Sequence, residues 1–261
     1  MSRKIKLWLI VAASLVVIGC VIFASVMSTL KWDFSKLSTQ NFELNTHEIT
    51  EDFSNISIVS NTADIVFKVS ENKNCSVVCF EKETEKHSVF VQDDTLFVEI
   101  NHETEWYQHI GINFESPKIT IFLPESEYDS LIVKESTGDI NIQNISLKAL
   151  NLSVSTGDVF LTNIKCENFT SKSDTGDISL ENVVATEKIL IETTTGDVEF
   201  KKCDANEIFV RTSTGDVKGS FLTNKVFAVE TRTGDINVPE TSNGGKCEIK
   251  TSTGDIEITI N

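Results

Sequence analysis

Residues 131–159 read LIVKESTGDINIQNISLKALNLSVSTGDV, two copies of a unit that ends its first strand in Thr-Gly-Asp and resumes with a β-branched aliphatic residue. The tripeptide occurs seven times, beginning at Thr137, Thr156, Thr175, Thr195, Thr214, Thr233 and Thr253. Gly138, Gly157, Gly176, Gly196, Gly215, Gly234 and Gly254 are therefore 19, 19, 20, 19, 19 and 20 residues apart. A period of this length is the mark of a stacked repeat.

Aligned on the glycines, the residue after each Asp is Ile140, Val159, Ile178, Val198, Val217, Ile236 or Ile256. Two places further come Ile142, Leu161, Leu180, Phe200, Gly219, Val238 and Ile258, and the position between is mostly polar. That alternation predicts a strand with one face inward. Before each corner, Leu131, Leu150, Phe169, Ile189, Ile208, Phe227 and Cys247 form an inward column, followed by Val133, Leu152, Ser171, Ile191, Val210, Val229 and Ile249. A third column, Ile145, Ile164, Val183, Cys203 and Leu222, predicts another inward-facing side, broken at Thr241. The extra residue of each longer repeat is expected after this column, where a loop absorbs it.

A run of this length cannot bury its apolar face alone, whereas stacked copies do so continuously. The expected fold is all-β: a single-stranded parallel β-solenoid, right-handed by the crossover rule. About seven rungs at ~4.8 Å give a rod section of roughly 30 Å. The exposed residues Glu192, Arg211, Glu230 and Lys250, taken in chain order, alternate in sign and favour this register.

At each corner glycine supplies a positive φ, while Asp accepts a hydrogen bond from a nearby N–H. Asp139, Asp158, Asp177, Asp197, Asp216, Asp235 and Asp255 are then expected to stack along one edge. Residues 131–261 hold 13 basic and 20 acidic side chains, so these 7 aspartates account for the whole excess of 20 − 13. Carboxylates ~4.8 Å apart repel by about 0.9 kcal/mol in unscreened water, so something must offset the stacking. Turn hydrogen bonds are one answer and a divalent cation or cationic ligand on the stripe is the other. The motif lacks the glycine-rich nonapeptide of calcium-binding β-rolls, which counts against calcium. No cofactor is expected.

Upstream, Leu7 to Met27 is an uncharged run of 21 residues preceded by Arg3, Lys4 and Lys6. It is long enough to span a membrane, with the N-terminus cytoplasmic and the remainder outside. An uncleaved single-pass anchor is expected; cleavage at Val17-Ile18-Gly19-Cys20, leaving a lipidated Cys20, and a conventionally cleaved signal are the alternatives. The chain divides into a cytoplasmic tail 1–6, anchor 7–27, linker 28–40, irregular β cap 41–130 and repeat solenoid 131–261. From residue 31 onward 20 basic side chains (23 less the three before the anchor) face 39 acidic ones, a net of −19. Nucleic acid and anionic lipid headgroups are poor partners for such a body.

Within the cap, strands are expected at residues 55–60, 64–70, 76–80, 88–92, 95–101 and 118–123, and Thr62-Ala63-Asp64 is a degenerate copy of the corner. Cys203 and Cys247 occupy inward columns and read as buried apolar residues. Cys75 and Cys79 share a strand face about 13 Å apart, too far to bridge. Zinc is not expected there, because no second close Cys or His pair accompanies them. The segment NHETEWYQHIGINF at 101–114 reads as a lid on the rod or an exposed aromatic loop. The last repeat ends at Asn261 after Ile256, Ile258 and Ile260, so the C-terminal rung is expected to be the open edge, either a short edge twisted or blunted by Glu257 and Asn261 or one available for end-to-end or edge association.

The strands DDTLFVEI and ITIFLP, then LIVKESTGDINI and the repeated STGDV and TTGDV units, resemble the bacterial putative-adhesin β-solenoid family, which includes LiaG-like membrane-anchored proteins. The resemblance runs from about residue 40 to the end and implies a surface location and, in relatives, association with cell-envelope stress systems. All four histidines, His47, His87, His102 and His109, precede the repeats, so the solenoid has no histidine base. The expected function is therefore a non-enzymatic scaffold that binds an envelope protein, peptide or glycan. The alternatives are a regulatory partner in an envelope-stress response and, more remotely, a carbohydrate-active β-helix enzyme.

Overall fold

The computed structural model of the protein describes residues 3–33, 41–71, 74–101 and 116–261, in two units. In the first, an apolar helix α1 spans Arg3–Thr29, 27 residues whose apolar side chains other than Met27 are exposed, long and apolar enough to cross a membrane. At ~1.5 Å per residue it is about 40 Å long.

The second unit is a β-solenoid. After the edge strand β1 (Phe42–Ile49), β2 (Asn55–Ser60) and β3 (Asp64–Val69) form an irregular rung, joined at Ala63 and Asp64. β4 (Cys75–Lys82) and β5 (His87–Gln92) follow, then β6 (Thr95–Ile100) and β7 (Lys118–Leu123). β6 pairs parallel with β2, and β7 with β3, so β6 and β7 form a second irregular rung. This end is closed by antiparallel strands: β5 on β6, and β4 on β7 with β1 outside it. The region is thus both an irregular start to the solenoid and a cap on it. β1 escaped the sequence reading because its residues are mostly polar.

The regular rungs begin with β8 (Glu127–Thr137) on β2. β9 (Ile140–Thr156), β10 (Val159–Thr175), β11 (Ile178–Thr195) and β12 (Val198–Thr214) then stack in parallel, each running around the rod from one corner to the next. Ile140, Val159, Ile178, Val198, Val217 and Ile256 line the core at 1 % exposure or less. The extra residue between Gly176 and Gly196 falls between Ala185 and Lys188, at the expected place but as a register shift within the continuous strand β11 rather than in a loop.

Past β12 the stacking order departs from the chain order. β13 (Val217–Phe221) continues the coil, but β14 (Lys225–Thr233) and β15 (Ile236–Asn237) skip one level. The level left open is filled by the last repeat, β16 (Gly245–Thr253) and β17 (Ile256–Ile260). β16 lies between β12 and β14, and β17 between β13 and β15. The C-terminal rung is therefore interior, and the open end is the penultimate repeat, where Ile236 is 46 % exposed.

Two column assignments change with this geometry. Arg211 and Lys250 are direct neighbours, so the exposed column reads Lys172, Glu192, Arg211, Lys250, Glu230 and does not alternate throughout; Lys250 instead bonds Glu248 at 3.0 Å. In the third column Phe221, fully buried, faces Cys203, while Leu222 is 43 % exposed. The cause is a shorter corner. Asn144, Asn163, Asn182 and Lys202 each add a residue at φ 54–57°, whereas β13 has Gly219 at φ 139° and no such residue. A Cβ at Gly219 would lie 1.8 Å from the Phe200 carbonyl oxygen.

Candidate functional site

The predicted aspartate stripe exists, and its hydrogen bonds run between rungs. At each Thr-Gly-Asp corner but that of Gly234, the Gly N–H donates to the Thr carbonyl of the following rung, and the residue after Asp donates to the following Asp carbonyl, as in Gly157 to Thr175 (3.0 Å) and Val159 to Asp177 (2.8 Å). The intervening Asp N–H points the opposite way, where no main-chain carbonyl takes it. The Asp carboxylate of the preceding rung does: Asp158 N–H donates to Asp139 Oδ1 (2.9 Å), Asp177 to Asp158 (2.8 Å), Asp197 to Asp177 (2.8 Å) and Asp216 to Asp197 (2.7 Å). The ladder starts at Asp64, which accepts from Asp139 at 3.1 Å, and follows the stacking order through Asp255 to Asp235.

Each carboxylate except that of Asp235 thus receives a fixed amide dipole, which offsets the repulsion between neighbours. At Asp216 the Lys218 ammonium, 2.7 Å from Oδ2, and the Asp255 N–H hold the carboxyl below its usual range. The glycines are demanded by the same stacking. Gly138, Gly157, Gly176, Gly196, Gly215, Gly234 and Gly254 sit at φ 137–151°, and an added Cβ would lie 2.0–2.4 Å from the carbonyl oxygen of the rung beneath. Sequence reasoning gave the aspartates a role inside their own turns; their acceptor role is in the neighbouring rung.

A second ladder went unread. Asn163 Nδ2 donates to Asn144 Oδ1 at 2.9 Å and Asn182 to Asn163 at 3.0 Å, along the next corner of the rod. The signal was an Asn five places after Asp139, Asp158 and Asp177. Beside this ladder runs an open groove of about 760 Å³, with the nearly buried Leu147 and Cys166 at its base and Asn144, Asn163, Lys165 and Glu127 among its walls. Most of its lining residues are polar, and none of them is a histidine.

The cap holds a buried polar network that sequence spacing did not bring together. Glu81 Oε2 accepts both the main-chain N–H and Nδ1 of His87, each at 2.7 Å, and Oε1 accepts Asn45 Nδ2 at 2.7 Å. Burial alone would raise the Glu81 pKa, but these bonds outweigh it and hold the carboxyl below its usual range. His87 Nε2 lies 3.3 Å from Ser60 Oγ. Burial pushes Glu135 up to about 7, against bonds from the N–H groups of Thr137 and Ser136. Cys79, Glu81 and His87 bring ligand atoms within 4.8 Å of one another. Both Glu81 oxygens are already engaged and burial pushes the Cys79 thiol up to about 12, so the trio is arranged as a clasp between strands. Cys75, Cys79, Cys166, Cys203 and Cys247 are all buried free thiols. The aromatic segment, with Trp106, Tyr107, His102 and His109, falls in 102–115, outside the described residues.

A putative adhesin from Bacteroides fragilis has a similar fold, with 20 % identity, a TM-score of 0.54, and coverage of 83 % of this chain and 97 % of its own. A putative adhesin from Parabacteroides distasonis aligns at 12 % identity and a TM-score of 0.47, covering 85 % of this chain and 98 % of its own. No curated protein matches the sequence. The family model for Toastrack DUF4097 matches residues 53–261, from the first solenoid strand to the last residue, and the chain belongs to that family.

Proposed function

We propose that the protein is a non-enzymatic, membrane-tethered surface protein whose solenoid presents an interaction surface to an envelope protein, peptide or glycan. The observation that carries this reading is the division of the chain into an apolar helix long enough to span a membrane and a rod in which one corner geometry is repeated without a specialised rung. Arg3, Lys4 and Lys6 before the apolar run favour a cytoplasmic N-terminus and a rod outside. An enzyme on such a rod needs a distinct cluster of acid, base and nucleophile in a cleft. The described histidines, His47 and His87, instead belong to the cap strands. The name of the solved Bacteroides fragilis relative, a putative adhesin, agrees with a binding role.

Photo-crosslinking amino acids at Asn144 and Asn163, beside the groove, test the reading in bacterial cells displaying the full chain. A discrete envelope adduct from these positions and none from Glu199 is the expected result. Absence of any adduct from the groove and from other exposed positions on the rod overturns it.

A further inference from the structure

The two ends of the rod differ. β1, β4 and β5 close one end with antiparallel strands. At the other, β14 and β15 carry only the inserted rung on one side. In each preceding corner from Gly138 onward, the next rung engages the Gly N–H, the N–H after Asp and the Asp carboxylate. At the last corner, Gly234 N–H, Ile236 N–H and the Asp235 carboxylate have no such partner among the described residues. Phe227, Val229 and Val238 reach this end only partly covered, next to the exposed Ile236.

We propose that this end is a docking edge for an extended segment of a partner protein whose pattern is that of one of the chain's own rungs. Two features select the segment. The residue that stacks over Gly234 must itself be glycine, because at all seven Thr-Gly-Asp corners a Cβ would meet the carbonyl oxygen beneath at 2.0–2.4 Å. The exposed Glu230 already faces Lys250 on its covered side and favours a cation on its open side too, four places before that glycine. Apolar residues seven and five places before the glycine would cover Phe227 and Val229, as Cys247 and Ile249 do from below. Main-chain hydrogen bonds then supply affinity and the corner supplies specificity. This rests on the scaffold reading and adds a place and a partner class to it.

A fluorescent peptide of residues 245–261, whose fit against β14 is known from the opposite side, is the probe, titrated with the full chain in detergent. Saturable one-to-one binding is expected, weakened about tenfold or more by Gly254→Ala or Lys250→Glu in the peptide. Asp235→Ala in the protein should weaken binding about as much with an unchanged melting temperature, since that carboxylate receives no N–H in the free chain. No saturable binding, or equal binding of the Gly254→Ala peptide, overturns the proposal. So does binding indifferent to Asp235→Ala, because the peptide would then be replacing the chain's own C-terminal rung. Groove adducts that persist while the peptide fails to bind would leave the scaffold reading standing and remove only the edge.

Discussion

The main-chain N–H of Asp255 donates to the carboxylate of Asp216, 39 residues earlier, at 2.7 Å, and Asp255 in turn accepts the N–H of Asp235 at 2.8 Å. The aspartate between them in sequence is thus the outermost in space. Neither contact follows from the spacing of the repeats, which makes any order of rungs look alike.

Deleting residues 245–261 should release more than it removes. β14 and β15 rest on β16 and β17, so amides of 225–237 should exchange at unfolded rates while those of β9 to β11 stay protected. Retained protection across 225–237 would show that the rung holds on its own.

Gly176→Ala should cost more than about 3 kcal/mol, since the alanine would carry an unfavourable positive φ as well as a backbone collision. The φ is 137° and the Gly157 carbonyl oxygen lies 2.0 Å from the added carbon. Denaturant melts measure it, and a loss under about 1 kcal/mol would mean the rungs can part without penalty.

Asp177→Ala strips the Asp197 N–H of its acceptor and should cost about 1–3 kcal/mol. Asp177→Asn keeps an oxygen there and removes a charge from the stripe, so its loss should stay under about 1 kcal/mol. The order of the two melting temperatures decides whether hydrogen bonding or charge dominates the ladder.

Phe221→Ala should be among the more damaging substitutions, about 3–5 kcal/mol. The ring is fully buried, 5.2 Å from Phe200 and 6.4 Å from Phe227 between centroids. Leu222→Ala, at an exposed site, should be close to neutral. Reversed values would restore the column read from the sequence.

Glu135 makes stability fall with pH. Its folded pKa of about 7 lies above the ordinary 4.5, so the folded state holds the proton more tightly. Its stabilising contribution is complete below about pH 4.5 and is lost as pH climbs to about 7, by up to about 3 kcal/mol. Glu135→Gln should flatten that slope and raise the melting temperature at pH 8 relative to the parent chain. A parallel pH profile in the variant would assign the slope elsewhere.

The repeat made the solenoid legible because glycine, aspartate and the β-branched residue after them obey strict local demands. Ile140, Val159 and Ile178 are buried as their alternation requires, and Ala63-Asp64 sits under Gly138 as a worn copy of the corner. Long-range order was less legible. Residues 225–261 carry two nearly interchangeable rungs, and their stacking order depends on where the loop at 238–244 returns. The Glu81, His87 and Ser60 network joins β4, β5 and β2, whose pairing has no period to announce it. Leu222 was misplaced because a missing corner residue shifts the strand by one, which puts the neighbouring Phe221 inward.

The inserted last rung also bears on how such a gene can lengthen. A duplicated repeat placed between Asp139 and Asp216 meets the same corner below and above it and adds a storey without altering either neighbour. The rung of β16 and β17, by contrast, has both its sides occupied, by β12 and β13 below and by β14 and β15 above. Growth by an internal copy therefore leaves every existing contact in place, and the one vacant floor lies above β14 and β15, away from the rung that is last in the sequence.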